Sequence, residues 1–171
     1  MNYQELTWPS LPEHIEAALL EFCRTEPIEN ITNKIKDLPP GMVQSYLLFD
    51  APDYLIDWVK EHIPVSLEEN IVKLQVWRDT DQVRRHIDRK REFSYNYLLL
   101  DHPGITRWFD NEEVIDSVRY EHKKWYKHIG GTKYHDVINV NNFRAAVTIF
   151  KEVEPRSDLP FSLWDYRRPG T

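Results

Sequence analysis

The spacing of hydrophobic positions changes near residue 70. Before it, Ile15, Ala18, Leu19 and Phe22 recur at helical spacing, and Pro12 stands where a helix can begin. A second helix is predicted over Asp53 to His62, with Leu55, Ile56, Trp58 and Val59 as its buried side and Pro64 ending it. Between them Pro39-Pro40-Gly41 marks a break and Val43 to Phe49 reads as a strand. After residue 70 the period becomes two. Val72, Leu74 and Val76 alternate with Lys73, Gln75 and Trp77, and Phe93 to Leu100 is rich in aromatic and aliphatic residues. Residues 112–127 read as helical or irregular, and Gly130-Gly131 as a turn. Tyr134 to Val140 and Phe143 to Phe150 are two further strands joined by Asn141-Asn142. The pattern is that of one α+β, mainly β domain over 1–171: helical support in 1–69, an antiparallel β part in 70–152 and an irregular tail in 153–171.

Composition changes this picture little. At 171 residues the chain is long enough for a real core, and its net charge of −6 argues against a nucleic-acid backbone as partner. One cysteine, Cys23, excludes an intramolecular disulfide and reads as a small core residue. No apolar run reaches spanning length and the first residues lack a secretory pattern, so no membrane is expected and a cytoplasmic location is. Oligomeric state is not legible.

The chemistry concentrates at His86-Ile87-Asp88. Side chains two apart on a strand share a face, so His86 and Asp88 can converge on one metal ion. Two imidazoles and a carboxylate on one face suit a borderline metal such as iron and leave other positions open. His135, opening an apolar segment, is the favoured third ligand. His128, just before the glycine turn, is its competitor; His14, His62, His102 and His122 have poorer contexts. Arg144 shares a strand face with Ala146, Thr148 and Phe150. Burying a guanidinium there is costly without an anionic partner, and a carboxylate gripped by two parallel hydrogen bonds would supply one.

His86-x-Asp88, then His135, then Arg144 in the run Arg-Ala-Ala-Val-Thr-Ile-Phe, resembles the 2-oxoglutarate/Fe(II) oxygenase superfamily, nearest to its prolyl-hydroxylase-like and aspartyl/asparaginyl-hydroxylase-like branches. The resemblance covers about residues 70–152. It implies a double-stranded β-helix, the jelly-roll or cupin-type barrel, with the N-terminal helices packed on it. It implies Fe(II) on His86, Asp88 and His135, and 2-oxoglutarate as co-substrate with its far carboxylate on Arg144 and Thr148 as a helper. The implied reaction hydroxylates an unactivated C–H bond of a peptide or small molecule, releasing succinate and carbon dioxide. A second co-substrate anchor is expected at Asn96 or Tyr97, the two undecided.

Each residue also has a plainer reading. His86 and Asp88 amid Arg84, Arg85, Arg89, Lys90 and Arg91 could be a solvated face, and those cations a rim. Arg144 could pair with Asp136. Trp108 and Phe109 are weak candidates for a substrate wall, while Trp77, Trp125 and Trp164 read as packing. Two rival functions use the same constellation: a cupin-like protein that binds a carboxylate without turnover, and a non-oxidative metalloenzyme.

Overall fold

The computed structural model describes residues 1–154 and 166–167. Its elements run β1 (Tyr3–Leu6), α1 (Glu13–Thr25), a 3-10 turn (Ile28–Asn30), β2 (Val43–Gln44), β3 (Tyr46–Asp50), α2 (Asp53–His62), β4 (Ile71–Arg78), β5 (Val83–His86), β6 (Phe93–Leu98), β7 (Ile105–Asp110), β8 (Glu113–Val118), β9 (Trp125–Ile129), β10 (Tyr134–Ile138), β11 (Phe143–Phe150) and β12 (Tyr166–Arg167). Trp164 and most of the expected tail lie outside the described residues.

The strands form a larger sheet in the order β1-β9-β6-β11-β4-β3 and a smaller one in the order β5-β10-β7-β8, while β2 pairs with β12. Strand β4 runs antiparallel to β11, β5 to β10, β6 to β9 and β7 to β8. From β4 to β11 the chain is thus one long antiparallel ribbon, reversed between β7 and β8. Its successive pairs fall alternately in the two sheets. That is a double-stranded β-helix, as the resemblance implied.

Residues 112–127 correct the expectation of helical or irregular structure. They hold β8 and the start of β9, reversed from β7 by Asn111 at φ 55°. Strand β8 is the edge of the smaller sheet and leaves Val114 and Ile115 exposed, so burial does not write an alternating pattern into it. On β9 both Trp125 and Tyr126 are buried, because both faces of that strand are covered. The N-terminal part is also more than helical support. It supplies β1 and β3, the two outer strands of the larger sheet.

Both helices begin after a proline and carry acidic residues in the first turn and basic ones in the last, which suits the helix dipole. They pack on the outer face of the larger sheet. There Leu19, Cys23, Leu55 and Val59 meet Leu74, Val76, Ala145, Val147 and Ile149. Burial raises the Cys23 thiol to about 12, which leaves it inert. On α1 the buried positions are Glu16, Leu19 and Cys23, with Ala18 exposed. Glu16 tolerates burial because it pairs with His122. With the odd positions of β11 turned to the helices, Arg144, Ala146, Thr148 and Phe150 face the barrel interior.

Candidate metal centre

Register brings the two imidazoles together. His86, the last residue of β5, stands opposite His135 on β10, with ring centroids 4.3 Å apart. Asp88 lies just past the end of β5, not within it. Its N–H donates to the Gly130 carbonyl at 2.8 Å, which folds the segment back over the strand ends. Asp88 Oδ1 then sits 3.4 Å from His86 Nε2 and 3.8 Å from His135 Nε2. One ligand atom from each of the three residues falls within 4.8 Å of the other two, and all three residues are buried.

Both rings are aimed by backbone. His86 Nδ1 lies 2.6 Å from the Arg84 carbonyl and His135 Nδ1 3.2 Å from the Lys133 carbonyl. A carbonyl only accepts, so each Nδ1 carries the proton and each Nε2 offers its lone pair inward. Donor identity, spacing and tautomer therefore fit a divalent transition metal.

The centre opens into a cavity of about 560 Å³, counted with its mouth, walled among others by Tyr46, Gln75, Trp77, Arg91, Asn96, Tyr120, Tyr126, His128 and Arg144. Arg144 is buried with its guanidinium 5.3 Å above the Trp77 ring, and its Nε has no hydrogen-bond partner. It forms no ion pair among the described residues; Asp136 is taken instead by Arg107, at 2.9 and 2.6 Å. Burial lowers the Arg144 pKa to about 10. An uncompensated cation facing a cavity is a seat for an anion.

Of the two expected anchors, Asn96 lines this cavity. Thr148, buried behind it, donates to Asn96 Oδ1 at 2.8 Å and orients the amide. Tyr97 does not reach the site. It stands beside Val147 in register, on the helix side, and packs on Trp125 with centroids 5.1 Å apart. Trp108 and Phe109 are corrected as well. Trp108 is fully buried, stacked on Tyr3 and hydrogen-bonded to the Ile129 carbonyl, while Phe109 lies under Arg85 and Arg107. Trp77 is cavity wall and not plain packing, whereas Trp125 is core.

His128 stays outside the ligand cluster. Its ring is 4.9 Å from His135 by centroid, and its Nδ1 is 2.7 Å from the Tyr120 hydroxyl. His102 is structural: Nδ1 accepts from Gly104 N–H, so Nε2–H points at the Val140 and Phe143 carbonyls. Sequence reading missed Gln75, Arg91, Tyr120 and Tyr126. The alternation on β4 signals Gln75; nothing local separates Arg91 from its basic neighbours.

No protein-family model and no curated protein sequence matches the chain. Solved structures do match in shape. A prolyl-4-hydroxylase from Pseudomonas putida superposes with a TM-score of 0.58 at 18% identity, over 88% of this chain and 92% of that one. An oxidoreductase of the 2OG-Fe(II) oxygenase family from Burkholderia pseudomallei gives 0.54 at 11% identity, over 88% and 84%. The chain shares the double-stranded β-helix fold of these two proteins.

Within that fold the electrostatics favour the metal-binding forms of the three candidate ligands. Burial works to raise the Asp88 carboxyl, but Arg91, His135 and His86 together hold it well below the usual range. Burial and the neighbouring His86 lower His135 to about 4, and burial beside His135 lowers His128 strongly. At neutral pH both are uncharged.

The lowered histidine values carry a stability signature. Below the ordinary value of 6.5 the unfolded chain takes up protons that folded His135, at about 4, refuses. Folding stability is therefore insensitive to this group above pH 7 and falls as pH drops from 6.5 towards 4. The loss from His135 alone at pH 5 is about 2 kcal/mol, and His128 and His102, also lowered, act in the same direction. Urea midpoints of the metal-free protein at pH 7.5 and 5 measure it. Equal midpoints would contradict neutral buried histidines.

Proposed function

We propose that the chain is an Fe(II)- and 2-oxoglutarate-dependent oxygenase that hydroxylates an unactivated C–H bond of a peptidyl or small-molecule substrate. The observation that carries this is the pairing of two features in one cavity: a buried two-histidine, one-carboxylate cluster, and a buried arginine with no anionic partner among the described residues. A metal cluster alone would suit a hydrolase or isomerase equally. The free guanidinium asks in addition for a carboxylate, and a co-substrate that chelates the metal at one end and ends in a carboxylate at the other satisfies both.

In this reading His86, Asp88 and His135 hold the iron, and Arg144 holds the far carboxylate of 2-oxoglutarate with Asn96 beside it. Iron with its co-substrate would supply oxygen activation, with succinate and carbon dioxide as by-products. The chain's own residues do the rest. The Nδ1–H bonds to Arg84 and Lys133 carbonyls keep both Nε2 atoms aimed. Arg144 fixes the orientation of the bound dicarboxylate. The aromatic walls Trp77, Tyr120 and Tyr126 exclude bulk water, which protects the protein from misdirected oxidation.

Anaerobic addition of Fe(II) and 2-oxoglutarate to the purified protein is expected to produce a visible charge-transfer band, absent in His135→Ala. Iron binding without a band would favour the carboxylate-binding or non-oxidative alternatives. Absence of any metal binding would overturn the reading.

A further inference from the structure

Arg91 stands three residues beyond Asp88, and its side chain is only 10% exposed. Its Nε donates to Asp88 Oδ2 at 3.2 Å. The other end of the guanidinium is also held. With the Gln75 amide turned so that its carbonyl faces the arginine, Oε1 accepts from Nη2 at 2.6 Å, from Nη1 at 3.3 Å and from the Tyr46 hydroxyl at 3.1 Å. Phe150 lies under the guanidinium, 4.7 Å from its carbon to the ring centroid. Strands β3, β4 and β11 thus immobilise a cation whose one carboxylate partner among the described residues is Asp88.

The two oxygens of Asp88 are therefore divided. Oδ1 faces both imidazoles, and Oδ2 faces Arg91. A carboxylate free to rotate can chelate a metal through both oxygens. One whose second oxygen is tied to a charged donor offers only the first.

We infer that Arg91 is a positioning residue that holds Asp88 in one-oxygen coordination, leaving one more position on the metal for water, co-substrate or oxygen than a chelating carboxylate would. This rests on the metal-site reading above. Arg91 also balances the Asp88 charge when no metal is bound, so the ligand geometry exists before the metal arrives.

Mn(II) binding reads this without turnover. Affinity and the number of fast-exchanging inner-sphere waters, from proton relaxation, would be measured in the parent, Arg91→Met, Arg91→Lys and Gln75→Leu. The expected result for Arg91→Met is affinity weaker by about 10–100-fold with one bound water fewer, Asp88 having closed on the metal with both oxygens. Arg91→Lys should recover part of both, and Gln75→Leu, which keeps Arg91 but frees its far end, should show the same water loss in weaker form. A purely structural role would lower the melting temperature and leave the water count at the parent value. An unchanged water number in folded Gln75→Leu and either Arg91 variant would overturn the inference. Failure of the parent to bind Mn(II) or Fe(II) would instead overturn the metal site itself.

Discussion

Replacing Arg144 with methionine should make the ligand-free protein more stable and abolish its grip on 2-oxoglutarate. The guanidinium is buried, its Nε has no partner, and burial already lowers its pKa to about 10. A buried cation without an anion costs folding energy, and a thioether of similar length does not. The gain expected in the metal-free, ligand-free state is about 1–3 kcal/mol. The loss in co-substrate affinity should be on the order of 1000-fold, the cost of removing one member of a desolvated charge pair. Fe(II) affinity should stay within about twofold, since Arg144 is not one of the three clustered residues. Arg144→Lys, which keeps charge but loses the planar fork, should fall between. Calorimetry with and without 2-oxoglutarate separates the effects. A destabilised Arg144→Met protein with unaltered 2-oxoglutarate affinity would show that the arginine is paired within the protein and serves the fold.

The other large effect is expected at Gly130. A Cβ built there would lie 2.0 Å from Asp88 Oδ2 and 3.2 Å from His135 Cε1. The carboxylate cannot simply swing aside, because Arg91 holds Oδ2 and the Gly130 carbonyl holds the Asp88 N–H. Gly130→Ala should thus displace Asp88 and weaken Fe(II) binding by on the order of 100-fold. Crowding a packed site should also cost about 1–3 kcal/mol of stability. Gly41 provides the contrast. Its φ is +79° and a Cβ there meets nothing within 4 Å. Gly41→Ala should cost about 1 kcal/mol of stability and leave metal affinity alone. Isothermal titration of both variants tests the pair; parent-like Fe(II) affinity in Gly130→Ala would mean that the Asp88 carboxylate does not sit against this turn when metal is bound.

The glycine pair was visible in the sequence as a turn. Its reason, a backbone passing against the Asp88 carboxylate, required the tertiary fold. The same division runs through the site. Period two on β11 told which residues share the Arg144 face, because successive side chains of a strand point to opposite faces even where, as here, both faces are buried. The choice between Asn96 and Tyr97 stayed open, because alternation says that neighbours face opposite ways and not which face is the barrel. Pairing with β11 decided it, setting Asn96 beside Thr148 and Tyr97 beside Val147. For His135 over His128 the deciding fact was register: β10 sets His135 opposite His86. His128, on β9, pairs instead with Tyr3 and Ser94.

By itself the sequence determined the local parts: two amphipathic helices, the strands β4, β6, β10 and β11, the His86-x-Asp88 pair, and an arginine on a strand face that needed an anion. These are legible because they depend on residue type and on spacing within one element. Only the tertiary structure decided that residues 112–127 pair as strands, that Trp108 and Phe109 support the barrel and do not wall the cavity, and that Arg91 is tied to Asp88 while its basic neighbours are not. Each of those depends on contacts between residues distant in the chain, or on which of several like charges is buried, and no local pattern of residues carries that information.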